Sequence, residues 1–368
     1  MSARKPQFVG ESVAFGEAFR EVSRGVSKYK QIQYLEQGNH PIIDQGKDEV
    51  AGYSNDEEGL FLDVPAIVFG DHTRVIKFVE EPFFVGADGV KILKPVLSSN
   101  ARYWYHALRA TKIEDLGYSR HFKLLKEKRF ANPAENIQYA VCNKLDVVLA
   151  QINVAKQQLK YLDSLVKSRF VEMFGDTQHE YKTLSECCDY AAGGATPSMK
   201  HGEYYDGEIP FIKSGDVKGD IVERGALTLT EAALQHGGAK LIPGDSVLVV
   251  TRSALLKRKL HVALAPDPVV INQDIKAFHP HDGVLSSYLM WAIRSREAEL
   301  LHGVRSVNTS SIKTSDLFSL DIPLPSLALQ QEFADFVAQV DKPRFVAQQQ
   351  IEKLQMLYDS LAQEYFGD

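Results

Sequence analysis

The chain has 368 residues, which at about 100–200 residues per domain divides into two or three domains. A hydrophobic fraction of 44% with 24% charged residues excludes wholesale disorder. A net charge of −6 excludes a uniformly basic nucleic-acid coat but not a local basic face. Cys142, Cys187 and Cys188 are too few for a disulfide framework and lie at no metal-ligand spacing, so no metal site is expected. No apolar h-region follows Met1, and no run of about 18 apolar residues occurs, so the expected location is the cytoplasm, with no membrane attachment.

Along the first half, short β-branched runs at 66–69, 75–79, 83–85 and 90–93 are punctuated by Gly, Asp and Pro, which predicts strands and turns. A short helix is predicted near 101–111. From Pro133 onward, apolar residues recur in steps of three and four, through Val141, Leu145, Val148, Ile152, Ala155, Leu159, Leu162 and Val166 to Phe170. That is a coiled-coil seam over about five heptads. The second half predicts strands at 209–212, 246–251, 262–264 and 269–271, then a helix near 287–301. A second seam follows Pro325, through Phe333, Val337, Val340, Ile351, Leu354, Tyr358 and Leu361. Arg344 interrupts it, and Pro343 predicts a kink or a restart with Asp341 as N-cap. Each seam predicts a helix of about 35 residues, about 50 Å long.

The two halves match. DSLVKSRF (Asp163–Phe170) lies over DSLAQEYF (Asp359–Phe366), and each helix opens on a proline followed five residues later by Gln138 or Gln330. Tyr103 lies over Tyr288 and Arg109 over Arg294. Pro41-Ile42-Ile43 lies over Pro210-Phe211-Ile212, and Val85 over Ile271. Two matched strands each lead into a threonine and an arginine, Thr73-Arg74 and Thr251-Arg252. The same order of features occurs twice, which is the signature of a duplication. The fold class is α+β: two strand-rich domains, each followed by a long helix.

The ordered set GGATPS (Gly193–Ser198), EYYDGEIPFIKSGDV (Glu203–Val217), AKLIPGDSVLV (Ala239–Val249), INQDIKAF (Ile271–Phe278) and IPLPSLALQQ (Ile322–Gln331) resembles the specificity subunit of Type I restriction–modification systems. The first half joins the resemblance through PIIDQG (Pro41–Gly46), VFGDHTR (Val68–Arg74), VGADGVKIL (Val85–Leu93) and YSRHFKLLK (Tyr118–Lys126). It lacks a GGxTPS-like loop, and its first helix opens on FANP (Phe130–Pro133). The resemblance implies target-recognition domains at 1–129 and 177–322, joined by two long antiparallel helices at 130–176 and 323–368, with a pseudo-twofold repeat. It also implies a non-catalytic subunit whose two domains read the halves of a split, asymmetric duplex DNA site. Two modification subunits that methylate adenine with S-adenosylmethionine would dock on it, together with restriction subunits that use ATP and Mg²⁺. The chain itself would bind no cofactor.

DNA binding needs Lys and Arg against phosphates and donors or acceptors at base edges. Two basic clusters stand out: 118–129, with Arg120, His121 and Lys123 beside Ser119, and 252–259, with Arg252, Lys257 and Arg258. Both read as turn-like. Arg305 and Asn308 stand in a small polar segment at the place that 118–122 occupies in the first half. Gly193 and Gly194 would let backbone approach phosphates closely, with Thr196, Lys213 and Ser214 in the matched loops nearby. Thr73, Arg74, Thr251 and Arg252 complete the candidates, the two arginines ranking highest. Leu145, Ile152, Leu159, Leu162, Ile351, Leu354, Tyr358 and Leu361 are the candidate helix–helix or partner contacts.

Two other classes stay open at this level. Pro266-Asp267 with Asp274-Ile275-Lys276 imitates the PD…DxK layout of Mg²⁺ nucleases, but at short spacing. A stand-alone methyltransferase would need a glycine-rich cofactor loop, and no GxGxxG or P-loop occurs. A coiled-coil interaction protein would need only the long helices.

Overall fold

A computed structural model describes residues 10–87, 89–117, 119–175, 179–257, 259–302 and 311–367, without the side chains of Leu255 and Lys257. The chain forms two compact units, Met1–Gln157 with Ala347–Asp368, and Gln158–Val346.

In the first unit the elements run β1 (Glu11–Ala14), α1 (Phe15–Ala18), β2 (Phe19–Glu21), β3 (His40–Ile43), β4 (Gly52–Ser54), β5 (Ala66–Gly70), β6 (Ile76–Val79), β7 (Phe84–Val85), β8 (Val90–Pro95), α2 (Ala101–Ala110), α3 (Phe122–Lys126), β9 (Arg129–Asn132) and the start of α4 (Glu135–Phe174). One sheet has the order β2–β8–β5–β6, a smaller one β4–β3–β7, and β1 pairs with β9. β5 is buried at every position. Its uninterrupted apolar run is what a strand covered on both faces requires. Asn100 caps α2 by accepting the Tyr103 N–H. That helix buries Tyr103 and Trp104 against Phe19 and Phe130.

In the second unit follow β10 (Glu180–Thr183), β11 (Cys188–Gly193), β12 (Tyr205–Ile212), β13 (Leu227–Leu229), α5 (Glu231–Gln235), β14 (Leu241–Ile242), β15 (Ser246–Val250), β16 (Val262–Ala265), β17 (Val269–Ile271), β18 (Ile275–Pro280), α6 (Ser286–Ser295), α7 (Glu297–His302), α8 (Thr314–Phe318), β19 (Asp321–Leu324) and α9 (Leu327–Phe366). The sheets are β11–β18–β15–β16, β13–β12–β17–β14 and the pair β10–β19. The helix predicted near 287–301 is thus two helices, broken at Arg296.

The repeat is one of register as well as order. Ile43 pairs with Val85 in parallel, and Ile212 with Ile271 in parallel. Gly70 opposes Val90, and Val250 opposes Ile275. The matched tyrosines do the same work: Tyr103 OH donates to the Ala131 carbonyl at 2.9 Å and Tyr288 OH to the Pro323 carbonyl at 2.6 Å. So do the glutamines. Gln138 Nε2 donates to the Pro133 carbonyl and Gln330 Nε2 to the Pro325 carbonyl, each at 3.0 Å, and both side chains are buried.

Each long helix has 40 residues, somewhat more than the seam alone predicts, and so is about 60 Å long. Leu145, Ile152 and Tyr358 are buried in the first unit, where Ile351, Leu354 and Leu361 pack against the same core. Full burial of such a side chain is worth about 1.5–3 kcal/mol. Leu162 packs on the core of the second unit, and Leu159 is half-buried. Within the second unit Arg169 reaches Glu332 and Asp163 reaches Arg344, so residue numbers rise along α4 as they fall along α9 and the helices are antiparallel.

The expectation of a restart at Pro343 is corrected. α9 continues through the proline, and Asp341 is no N-cap. The Asp341 carboxylate accepts from Arg344 at 2.7 Å, and the same guanidinium reaches Asp163 at 2.6 Å and Asp220 at 2.8 Å. The gap in the apolar seam is therefore filled by a charged node linking α4, α9 and the loop after β12. Burial pushes the Asp341 carboxyl up, against the pull of Arg344.

In the first unit a polar node does the corresponding work. His106 on α2 is fully buried between Asp146 on α4, with Nε2 2.8 Å from Oδ1, and Tyr358 on α9, with Nδ1 2.8 Å from the hydroxyl. Burial pushes the imidazole down from 6.5 to about 4, while Asp146 pulls the other way. The neutral ring then donates from Nε2 and accepts at Nδ1. A histidine neutral in the folded state is stabilising above its unfolded value and loses that contribution as pH falls. The first unit therefore destabilises between about pH 6.5 and about pH 4, by up to about 3 kcal/mol. Denaturation midpoints across that range check this, and His106→Gln flattens the dependence.

Candidate nucleic-acid interface

In each unit, the loops that leave a central strand of the large sheet and the parallel strand pair of the smaller sheet come together. In the first unit these are 44–46 after β3, 71–74 after β5, and 86–87 with Gly89 after β7. Thr73 Oγ1 donates to the Gln45 carbonyl at 2.6 Å, and the His72 N–H donates to Gln45 Oε1 at 3.1 Å. The Asp71 N–H donates to the Gly89 carbonyl at 2.7 Å. The start of α3 is tied to the same place: the Phe122 N–H donates to Asp71 Oδ1 at 2.8 Å.

Arg74 follows the strand in the left-handed region, with φ of 60°. Its Nη1 donates to the Ile113 carbonyl at 3.1 Å and its Nη2 to Asp115. The Gly117 N–H and Arg74 hold the Asp115 carboxyl below the usual carboxylate range. Thr73 is exposed and Arg74 half-buried. Ser119 is half-buried, while Arg120 and Lys123 are exposed and form no ion pair among the described residues.

His121 is corrected. It is fully buried, with Nδ1 donating to the Asp71 carbonyl at 3.0 Å and Nε2 accepting the Leu116 N–H at 3.1 Å. Neither nitrogen faces outward in this conformation, so it is a strut between two loops and not a surface contact. The surrounding cluster is also less turn-like than expected: 122–126 is α3, and Arg129 on β9 spends its guanidinium on Ser12 of β1. The loop 44–46 hides a group the sequence reading missed. Lys77 on β6 is buried 3.6 Å from Asp44, and burial pushes its ammonium down. Its place inside an apolar alternating run of β6 was the signal.

The second unit repeats the arrangement with different side chains. Thr196 Oγ1 donates to Gln273 Oε1 at 2.6 Å, joining the GGATPS loop to the loop after β17. Arg252 Nε donates to Asp274 Oδ1 at 2.7 Å, and the Thr251 and Arg252 N–H groups both donate to the Asp274 carbonyl. Arg252 is exposed and keeps both Nη groups without a partner among the described residues, whereas Arg74 has committed both of its own. Thr251 is buried, with its hydroxyl on Asp274 as well, so its side chain is no surface contact. Lys213 and Ser214 are half-buried in the loop after β12, where the Lys213 N–H donates to Asp216.

The reason given for Gly193 and Gly194 also changes. A Cβ at Gly194 would collide with the Ile271 carbonyl, and one at Gly193 with the Lys276 side chain. Gly194 is therefore required by packing against backbone inside the protein, whereas at Gly193 only the movable end of a lysine would have to shift. Arg258, Arg305 and Asn308 lie outside the described residues, as does the side chain of Lys257.

The nuclease-like pattern fails on register. Asp267 follows β16, whose Ala265 opposes Ser246, whereas Asp274 precedes β18, whose Ile275 opposes Val250. The two carboxylates stand beyond opposite ends of a strand about 13 Å long, too far apart to share one ion. Among the described residues no group of three or more His, Cys, Asp or Glu could hold a metal. Nor is any helix among them long and apolar enough to cross a membrane.

A family profile described as "Type I restriction modification DNA specificity domain" matches residues 177–356. Over 325 residues the chain is 29% identical to the EcoR124I/EcoR124II Type I restriction enzyme specificity subunit of Escherichia coli, covering 82% of this chain and 79% of that one. Over 182 residues it is 30% identical to the MjaIX specificity subunit of Methanocaldococcus jannaschii, covering 48% and 41%. The crystal structure of the Type I restriction–modification S subunit from M. genitalium shares the fold, with a TM-score of 0.53 at 13% identity over 100% of this chain and 98% of that one. Residues 177–356 carry the Type I restriction modification DNA specificity domain, and most of the chain is similar to a Type I restriction enzyme specificity subunit. Such subunits are the non-catalytic, DNA-recognition members of their systems.

His121→Ala removes the acceptor of the Leu116 N–H and one of the two donors to the Asp71 carbonyl, which costs about 0.5–1.5 kcal/mol per hydrogen bond. A fall in the urea midpoint of the first unit measures it.

Proposed function

We propose that this chain reads a bipartite, asymmetric duplex DNA site, one half-site per strand-rich domain, and scaffolds the enzymes of a Type I restriction–modification complex. The recognition domains are 1–129 and 177–322, and the helical spacers are 130–176 and 323–368. One observation carries the reading. The same sheets in the same register occur twice, and each repeat ends in a loop that holds an arginine beside an aspartate. Two readers built alike but lined with different side chains suit a site whose halves differ.

Arg252 is the best-placed candidate for base or phosphate contact, because Asp274 orients its Nε edge and leaves the Nη edge for a ligand. Arg74, Thr73, Arg120, Lys123, Ser119, Thr196, Lys213 and Ser214 complete the contact set. Lys257, Arg258, Arg305 and Asn308 extend it. Two modification subunits, which carry S-adenosylmethionine and methylate adenine, dock on the helices. Val147 and Val154, exposed one heptad apart on α4, are suited to receive a partner helix. Restriction subunits, with ATP and Mg²⁺, join the assembly in the cytoplasm. The net charge of −6 fits a protein that holds DNA tightly only together with these partners.

Two experiments test the reading, both on the complex with modification subunits and a duplex taken from mapped methylated adenines. Arg252→Ala costs roughly 1–3 kcal/mol of binding if the residue reads a base, and mainly lowers the salt slope if it contacts phosphate. Unchanged affinity at every salt concentration refutes the assignment. Four residues inserted near Lys156 lengthen the helix by about 6 Å and shift the preferred gap between half-sites upward. A methylation pattern with the original gap refutes the spacer role.

A further inference from the structure

The two most exposed large apolar side chains among the described residues are Ile32, at 92%, and Met199, at 76%. They occupy the same connection in the two repeats, Ile32 between β2 and β3 and Met199 between β11 and β12. Neither connection hangs loose. In the first, residues 31–33 form a 3-10 turn closed by the Lys30 N–H on Gln33 Oε1 at 2.8 Å. Its flanks are stapled to the small sheet, where Leu35 and Tyr53 exchange two backbone hydrogen bonds of 2.9 Å and the Tyr29 N–H donates to the Val85 carbonyl.

Each connection is also fastened to the loop after the parallel-paired strand, which belongs to the candidate interface. Tyr34 OH accepts the Ala87 N–H at 3.0 Å, just after β7. Thr196 donates to Gln273, just after β17, and Tyr205 OH donates to the Pro197 carbonyl at 2.6 Å, two residues before Met199. Here each rigid apex offers one apolar side chain among hydrogen-bonding neighbours, Gln31 and Gln33 in one case and Ser198 and Lys200 in the other.

We propose that Ile32 and Met199 are DNA wedges, one per half-site, that enter the base stack from the minor groove and kink the duplex while the flanking groups bond to base edges and backbone. Apolar wedges of this kind unstack one step and gain contact area from the bend. Glutamine and lysine beside the wedge suit the acceptor-lined A·T minor groove. The specificity contribution is then partly deformability, favouring pyrimidine–purine steps at the two kink positions. The inference rests on the DNA-reading role proposed above.

The test uses the complex with modification subunits and a set of duplexes from the methylated site, each carrying 2-aminopurine at one position. Wild type should raise the fluorescence at one step in each half-site. Ile32→Ser should abolish the rise in one half-site only and weaken binding tenfold or more, and Met199→Ser should do the same in the other, while Ile32→Leu keeps the signal. Unchanged affinity and fluorescence in both serine variants overturns the wedge. Loss of modification-subunit assembly in Ile32→Ser, read by size-exclusion chromatography, with the fluorescence pattern intact, also overturns it, by making the apex a protein contact. Failure of the wild-type complex to bind the methylated site at all would instead sink the DNA-reading role.

Discussion

The architecture depends on how each long helix leaves its domain, and one buried glutamine sets that exit. Gln138 spans the Pro133 carbonyl and the Ser98 hydroxyl. Gln330 spans the Pro325 and Gly283 carbonyls and the Leu285 N–H. In both repeats the amide therefore joins the first turn of the long helix to the segment that opens α2 or α6. A buried amide has no water to turn to, so breaking either bond leaves a polar group stranded. Rotation of the helix about its root is resisted by that cost. The tyrosine one layer below, Tyr103 or Tyr288, fastens the incoming strand to the same helix pair. Everything farther along α4 and α9 inherits its direction from these few bonds.

Beyond the root, the helices are held by different chemistry in the two units. The first uses a neutral histidine between a tyrosine and an aspartate, with Arg109 over the Tyr358 ring. The second uses Arg344 and Arg294 against three carboxylates, both cations near the Trp291 ring. A partly buried charge cluster of this kind contributes less net stability than its contacts suggest, because desolvation of the arginines opposes attraction. The two halves are therefore copies in backbone and independent in the polar chemistry of their helix contacts.

Much of this was legible in the sequence. The duplication, the seams and most strands follow from apolar period and order, and the alignment of Ile43 with Ile212 and Val85 with Ile271 coincides with the parallel registers. The edge pairs β1–β9 and β10–β19 were not legible, since each joins segments more than a hundred residues apart by backbone bonds that leave no side-chain pattern. Pro343 misled because a proline removes one helical hydrogen bond, yet tertiary contacts on both sides carry the helix across it. His121 and Thr251 misled because polar side chains beside a basic loop look external until their buried backbone partners are known. The arginine–aspartate pairs could not be read at all, because Asp115 and Asp274 occupy unrelated places in the repeat.

The division of the chain has a consequence for synthesis. The second unit is one continuous stretch, Gln158–Val346, whereas the first is completed by Ala347–Asp368 at the far end of the chain. Tyr358 and Ala362 belong to its buried core, with Leu361, Tyr365 and Phe366 packed against it. A ribosome releases residues in order, and domains fold as they emerge. The unit made first is therefore the last to be finished, and until its closing helix arrives it holds an open apolar face. Loss of the last two dozen residues would harm the beginning of the protein, not the part of the sequence nearest the truncation.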